Sequence, residues 1–172
     1  MRNDHIRKEA RRIIRMCKTR DPFKIAKELG IIVVFRDDFD DLKGVYKIIK
    51  RIRFIFINAD LSEDEQKTVC AHELGHDRLH RDLAESGAFQ DHSLYYDICC
   101  KPEYEANIFA SELLIDDDEI LDLINSDYDL HLIAGELSVD FRLVLIKVDE
   151  LRLRGYNVRV PYRPQSDFLG GN

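Results

Sequence analysis

The spacing of hydrophobic residues in the first 60 positions predicts two short helices followed by a small sheet. Apolar residues recur at helical spacing between charged ones at Ile6, Ala10, Ile13, Ile14 and Cys17. Asp21-Pro22 then joins an N-cap residue to a proline suited to a first helical turn, and Gly30 suits the end of that helix. The β-branched run at 31–35 predicts a buried strand. The apolar stretch at 44–58, interrupted at Lys50-Arg51, predicts a β-hairpin.

The remainder of the chain is predicted to be mostly helical, with one interruption. Ser62-Glu-Asp-Glu65 has the spacing of a capping box, which favours a helix start. The stretch from Arg81 to Lys101 shows no clean period and is predicted to be a loop. Pro102 suits a first helical turn, and four acidic residues at 116–119 suit another helix start. We therefore expect helices over 62–80, 102–115, from 116 onward, and over 139–154.

These elements predict a mixed α/β (α+β) fold with a small sheet of about three strands and additional helices. The chain has 172 residues, of which 45% are hydrophobic, so it can bury the core of one domain. We place that domain at residues 1–155. Prolines and glycines after Tyr156 predict a loose tail at 156–172.

Charge and cysteine content narrow the classes of function and compartment. A net charge of −7 disfavours binding of nucleic acid through a broad positively charged surface, so no direct nucleic-acid partner is expected. The four cysteines show no disulfide-framework spacing, which indicates a reducing cytoplasm. The N-terminus is charged and no run of 18 apolar residues occurs, so neither secretion nor membrane spanning is expected.

The most informative stretch is Cys70-Ala-His-Glu-Leu-Gly-His-Asp-Arg-Leu-His80. His72 and His76 lie four apart, so on a helix both imidazoles project from one face and can reach one ion. Glu73 lies beside His72 and could accept a proton from a metal-bound water. The alternative is a pair of helix-face histidines that bind no metal.

A catalytic zinc site needs a third protein ligand, and the candidates are Glu103, Glu105 and Glu112. Glu103 is the first choice because Asn107, one turn later, could hydrogen-bond the second nitrogen of a ligand histidine. Glu105 is expected to be a solvated helix residue, since it points about 200° round the helix from Glu103.

Other residues with metal-ligand chemistry are assigned lesser roles. His80 is expected to cap the helix or to bond a ligand from outside the coordination shell, because two imidazoles already crowd that side of the ion. Cys99 and Cys100 could complete a site with two histidines, but such a site would be closed and structural and would leave Glu73 without a task.

In order and at plausible spacing, several segments resemble the ImmA/IrrE family of zinc metallopeptidases. The segments are Gly44-Val-Tyr46, Phe56-Ile-Asn58, Ala71-His-Glu-Leu-Gly-His76 with His80, Glu103-x-x-Ala106-Asn107-x-Phe109-Ala110, and Leu113-Leu114. The two that contain His72 and Glu103 are specific to the family, and the flanking ones are weak signals. The resemblance implies a compact zincin-like fold. It also implies a zinc metallo-endopeptidase with gluzincin-like ligands, in which His72, His76 and Glu103 hold Zn²⁺ and Glu73 is the catalytic acid/base.

The resemblance further implies an anti-repressor role of the kind found in phages and mobile elements. The expected partner is a protein substrate, a helix-turn-helix transcriptional repressor, whose site-specific cleavage would relieve repression. One departure lies after the leucine pair, where Leu114-Ile115-Asp116 replaces the family's usual apolar residue and proline.

Two other classes of function stay open on the sequence. The first is a zinc-binding regulatory module that binds a transcription regulator without cutting it, because identical ligands serve both roles. The second is a helix-turn-helix DNA-binding protein over 133–142, with basic residues on its second helix at Arg142, Lys147, Arg152 and Arg154. Asp140, Asp149 and Glu150 interleave with those basic residues, which favours a packed helix pair instead.

Overall fold

A computed structural model describes residues 3–85 and 101–159 of the chain. In the described residues two helices precede a three-stranded sheet and six helices follow it, which makes an α+β fold, as predicted. In chain order the described elements are α1 (Asp4–Cys17), α2 (Pro22–Glu28), β1 (Ile32–Arg36), β2 (Gly44–Ile49), β3 (Ile52–Asn58), α3 (Glu63–Leu79), α4 (Arg81–Glu85), α5 (Lys101–Leu114), α6 (Asp117–Asn125), α7 (Leu130–Glu136) and α8 (Phe141–Leu153).

The three described strands form one sheet in the order β1-β3-β2. β1 runs parallel to β3, whereas β2 and β3 form the predicted antiparallel hairpin. Lys50 and Arg51 both have positive φ, of 51° and 67°, which is the conformation that a tight hairpin turn demands. As a result β2 lies at an edge of this sheet, and its outward-facing backbone groups are not used by β3.

Helix α3 runs through the middle of the molecule. The predicted capping box is present: Ser62 Oγ accepts from the Glu65 N–H, and the Glu65 carboxylate accepts from the Ser62 N–H at 3.2 Å. The sheet packs against one side of α3 and α5 against another, so every residue from 69 to 77 is buried. A helix buried on several sides carries no single apolar stripe.

The backbones of α3 and α5 approach closely at Gly75. A Cβ built on Gly75 would lie 3.0 Å from Cα and 3.1 Å from the carbonyl oxygen of Ala106. Backbone atoms in a packed helix cannot move aside cheaply, so only glycine fits at this crossing. This contact sets the separation between the side chains that the two helices present to each other.

A buried ionic cluster joins α8 to α5 and α6. Lys147 Nζ lies 2.8 Å from Glu112 Oε2 and 2.6 Å from Asp117 Oδ1, with its side chain 1% exposed. Arg154 adds a contact of 2.6 Å to Asp117. Burial would raise the pKa of Asp117, but the hydrogen bonds from Arg154 and Lys147 outweigh it and lower that pKa. Two of the basic residues considered for DNA contact therefore face the interior.

Three predicted boundaries differ from the structure. The predicted loop from Arg81 begins with α4, which is too short to show a period; its Leu83 N–H bonds the carbonyl of His80. The first helix of the pair predicted over 133–142 is α7, which begins at Leu130, three residues earlier, because the Asp129 side chain caps it by accepting from the His131 and Leu132 N–H groups. Helix α8 begins at Phe141, two residues after the predicted start at 139, because the Asp140 side chain caps it by accepting from the Arg142 N–H.

Some predictions concern parts of the chain that are not described. Cys99 and Cys100 lie outside the described residues, as does most of the predicted tail. Across residues 3–85 and 101–159, none of the helices combines the length and the apolar character needed to cross a membrane.

We expect Gly75→Ala to destabilise the fold, because the added methyl group overpacks the α3–α5 crossing. Overpacking costs about 1–3 kcal/mol, against a gain in helix propensity of about 1 kcal/mol. Gly135→Ala, in α7, is the matched control, since its Cβ would meet no atom within 4 Å. Thermal unfolding should show a lower midpoint for Gly75→Ala and an equal or higher midpoint for Gly135→Ala. Equal midpoints in all three proteins would contradict the close approach.

Candidate metal centre

Three electron-pair donors converge where α3 faces α5. His72 Nε2 lies 3.1 Å from His76 Nε2 and 3.1 Å from Glu103 Oε2, and His76 Nε2 lies 3.3 Å from Glu103 Oε1. The two histidines are one turn apart on α3, and Glu103 is in the first turn of α5. Both imidazoles are buried, whereas the Glu103 side chain is 16% exposed.

The spacing of these donors fits a small tetrahedral cation. Zinc binds histidine nitrogen at about 2.0–2.1 Å, which places two ligand atoms of a tetrahedron about 3.3–3.4 Å apart. His72, His76 and Glu103 are the group of metal-capable side chains whose donor atoms lie within 4.8 Å of one another among the described residues. Two imidazoles and one carboxylate form the donor set typical of catalytic zinc, which keeps its fourth position open.

Outer hydrogen bonds orient both imidazoles. His72 Nδ1 donates to Asn107 Oδ1 at 2.9 Å, which is the bond expected from the spacing of Glu103 and Asn107. His76 Nδ1 lies 3.3 Å from His80 Nδ1, and His80 Nε2 lies 3.0 Å from Glu105 Oε2. Because the Glu105 carboxylate accepts from His80 Nε2, His80 Nδ1 carries the lone pair that accepts from His76 Nδ1. His72 and His76 therefore both carry their proton on Nδ1, and their Nε2 lone pairs are directed at the site.

Glu73 lies next to the three donors and is 5% exposed. Burial raises the pKa of Glu73 to about 7, which suits a group that exchanges protons near neutral pH. Its carboxylate accepts a hydrogen bond from the backbone N–H of Tyr46 on β2. The Asn58 N–H donates to the Lys43 carbonyl, so the backbone of Lys43 faces β3. Alternate residues of an antiparallel strand face the partner strand, so Tyr46, three residues later, directs its N–H away from β3 and toward the open edge of the sheet.

The three donors perturb one another's pKa values. Burial lowers the pKa of His76 to about 4, which keeps this imidazole neutral, as a metal ligand must be. Burial acts in the same direction on His72, but Glu103 and Glu73 outweigh it and raise that pKa. Burial opposes ionisation of Glu103, yet its close contacts with His72 and His76 outweigh burial and hold its pKa below the ordinary range. Glu103 is therefore ionised.

A second carboxylate, Asp77, fastens the metal-facing helix to the sheet. Its side chain is fully buried and accepts from the Tyr46 hydroxyl at 2.8 Å and from Arg53 at 3.0 Å. Arg81 adds a contact of 3.2 Å. Burial raises the pKa of Tyr46, and its bond to Asp77 raises it further, so the hydroxyl stays protonated and continues to donate. Arg53 is thus a structural partner of Asp77.

The structure separates the candidates for a third ligand. Glu103 reaches both histidines, Glu105 bonds His80 instead, and Glu112 pairs with Lys147 at the far end of α5. The expectation that Glu105 is solvated was wrong, because its carboxylate is held by His80. The i, i+4 spacing of His76 and His80 was the available signal for this relay. No comparable signal in the sequence pointed to Asp77.

Known proteins resemble this chain over most of its length. The Peptidase_M78 family, described as the IrrE N-terminal-like domain, matches residues 26–149. The "uncharacterized immunity region protein 2" of Bacillus phage phi105 is 34% identical over 142 residues, covering 83% of this chain and 88% of the phage protein.

A solved structure supports the fold alone. A Mycobacterium tuberculosis transcriptional regulator superposes with a TM-score of 0.61 at 19% identity over 95% of this chain. This chain spans half the length of that regulator. With the family match covering the metal-capable residues and the phage relative at 34% identity, the resemblance drawn from the motifs is confirmed: the chain belongs to the Peptidase_M78 family of IrrE N-terminal-like domains.

Proposed function

We propose that this protein is a zinc-dependent endopeptidase that cleaves a transcriptional repressor at a specific site. The observation that carries the proposal is the buried carboxyl of Glu73, poised to exchange a proton, directly beside three converging donors. A carboxyl of this kind has no task in a purely structural metal site. Membership in a peptidase family supports the same reaction class.

Each residue in the site has a separate part in this proposal. His72, His76 and Glu103 would hold Zn²⁺, which when bound acidifies a water molecule and polarises a peptide carbonyl. Glu73 accepts the proton of the attacking water and returns it to the leaving amine. Because burial holds the pKa of Glu73 near 7, both transfers are accessible at neutral pH.

The edge strand β2 supports binding of an extended substrate. Its outward edge carries the backbone groups of Gly44 and Ile48 and the carbonyl of Tyr46, while the Tyr46 N–H is bonded to the Glu73 carboxylate. An extended segment can pair with such an edge through main-chain hydrogen bonds. Substrates would therefore be cut where their chain is flexible or locally unfolded.

The proposed substrate is a helix-turn-helix repressor. The phage relative carries an immunity-region name, which favours a link to gene control. Direct DNA binding by this chain is disfavoured, because Lys147 and Arg154 form buried ion pairs with Glu112 and Asp117.

The alternative within the same family is a zinc-binding module that binds a regulator without cutting it. It would use the same three ligands, so metal content alone does not separate the two functions. The role of Glu73 separates them, because binding alone needs no proton transfer.

The first prediction concerns the metal. The purified protein should bind about one Zn²⁺, and His72→Ala, His76→Ala and Glu103→Ala should each weaken binding sharply, because an incomplete shell remains. Glu63→Ala, exposed at the start of α3, is the control and should keep normal affinity. Titration calorimetry and metal analysis measure this. Full retention of zinc in both histidine variants would overturn the metal assignment, and retention in Glu103→Ala alone would move the third ligand elsewhere.

The second prediction concerns proton transfer. Glu73→Gln should keep the fold and the zinc but lower cleavage of a helix-turn-helix repressor encoded beside this gene by about 10²–10⁴-fold. Electrophoresis of the repressor and a reporter of repression are read together. If both proteins release repression while the repressor stays intact, the protein acts by binding and the peptidase proposal fails.

The third prediction concerns the relay behind His76. His80→Ala and Glu105→Ala should weaken zinc binding by about 10–100-fold, since partners outside the coordination shell orient the ligand. Glu105→Gln should retain most of the affinity, because its amide oxygen still accepts from His80. Lys101→Ala is the control, since it removes only the 3.6 Å contact to Glu105. Unaltered affinity in His80→Ala would show that the relay orients nothing.

A further inference from the structure

Helices α2 and α3 pack on one face of the three-stranded sheet. On this covered face the Tyr46 hydroxyl donates to Asp77 of α3, and the ring centroids of Phe35 and Phe23 of α2 lie 5.9 Å apart. Side chains alternate between the two faces along a strand. The residues on either side of Tyr46 and Phe35 therefore direct their side chains to the opposite face, which we call the outer face.

The outer face is apolar across all three strands. In the register of the sheet, Phe54 of β3 lies beside Ile32 of β1, and Phe56 lies between Val34 of β1 and Val45 of β2. The rings of Phe54 and Phe56 stack with their centroids 5.7 Å apart. Within the described part of the chain, none of these side chains belongs to the buried core or to the layer packed against it.

Water reaches the side chains of the outer face. Toward the hairpin turn, Ile32, Ile49 and Ile52 are 46%, 45% and 48% exposed. The two phenylalanines at the centre are partly exposed. Single exposed apolar residues are common on protein surfaces, but a contiguous apolar patch marks a surface that contacts a partner.

Charges of opposite sign flank the two ends of the outer face. The turn between β2 and β3 carries Lys50-Arg51 at one end, and the loop between β1 and β2 carries Asp40-Asp41 at the other. All four side chains are exposed and form no ion pair within residues 3–85 and 101–159. The Asn58 side chain, two residues after Phe56 and on the same face, donates to the Leu42 carbonyl at 3.3 Å. This bond holds the acidic loop on the outer side of the sheet.

Nearby residues of opposite sign do not cancel these charges. At the acidic end, Arg36 is paired with Asp38, and Lys43 is paired with Glu65 at 3.2 Å. Toward the basic end, Lys47 lies beside Phe54 in the register and adds an exposed cation. The outer face is therefore apolar in its middle, positive at the hairpin turn and negative at the opposite end.

This polarity along the strands makes the outer face complementary to itself. When two such sheets face each other across a two-fold axis perpendicular to the strands, the strands of the two copies run antiparallel. Lys50-Arg51 of each copy then lies over Asp40-Asp41 of the other, and the apolar middles meet. A two-fold axis parallel to the strands would bring like charges together. An anionic membrane or nucleic acid would match the basic end alone and be repelled by the acidic end.

We propose that the outer face is the contact between two copies of this chain, which pack sheet on sheet as a two-fold symmetric dimer. Sheets that face each other lie about 10 Å apart, so Phe54 and Phe56 of the two copies would interdigitate. Three short strands form a small interface, for which we expect a dissociation constant of about 1–100 µM. The open edge of β2 stays accessible in this dimer, so the inference is independent of the proposed function.

Sedimentation equilibrium of the full chain tests the apolar contact. The parent protein should pass from monomer to dimer between about 1 and 300 µM. Phe54→Glu should weaken association by about tenfold or more, because each copy would bury a charge at the centre of the interface. Leu132→Glu, in α7 at a side chain that is 57% exposed, is the matched control and should leave association unchanged. Ile52→Glu, at a residue 48% exposed, should weaken association likewise and serves if Phe54→Glu does not fold.

Charge reversal tests the antiparallel arrangement. Lys50→Asp with Arg51→Asp makes both ends of the face acidic, and Asp40→Lys with Asp41→Lys makes both ends basic. Aspartate suits the turn because it tolerates the positive φ of these two positions. Each double variant alone should dimerise about tenfold more weakly than the parent protein, whereas an equimolar mixture of the two should recover dimerisation.

Each outcome decides the inference. A parent chain that stays monomeric at about 300 µM overturns it, and so does a dimer that survives both Phe54→Glu and Ile52→Glu. A dimer that is indifferent to both charge reversals overturns the two-fold arrangement. A monomer that binds phosphatidylglycerol vesicles through Phe54, or one that dimerises only after residues 160–172 are removed, likewise overturns the inference, because the face would then belong to a membrane or to that segment.

Discussion

The close contact between α3 and α5 is the constraint on which the site depends. Gly75 lets the two backbones approach until a methyl group would meet Ala106, and the ligand candidates lie on either side of that contact. Two imidazoles from one helix and a carboxylate from the other then converge to about 3 Å, and within residues 3–85 and 101–159 all three metal-capable donors lie on helices. Sites built on packed helices hold their geometry more closely than sites built on loops.

Burial gives neighbouring carboxyl groups different chemistry. Glu103 lies within about 3 Å of both imidazoles and its pKa is lowered, whereas Glu73 has few polar partners and its pKa rises to about 7. The difference follows from the polar partners within reach and not from the residue type. Asp77 serves the fold by joining α3 to the sheet, and the Tyr46 that it holds also positions Glu73 through its backbone N–H.

Features encoded by short spacings were predictable from the sequence. The capping box at Ser62, the turn at Lys50-Arg51 and the one-turn spacing of Glu103 and Asn107 each depend on local geometry, and all are present. Features that depend on contacts between distant segments were not. The cluster around Lys147 joins residues 35 positions apart, and the pairing of Glu105 with His80 joins residues 25 positions apart. Nothing in either local sequence distinguishes a buried ion pair from a solvated charge.

The buried cluster of Glu112, Asp117, Lys147 and Arg154 has a consequence for how this fold can diversify. It joins α8 to the far end of α5, where Glu112 lies about two and a half turns from Glu103. Helix α8 is therefore held by ion pairs that are separate from the α3–α5 contact that assembles the metal-capable residues. The residues of α8 outside this cluster can therefore vary in evolution while the helix pair that carries the metal-capable residues stays unchanged.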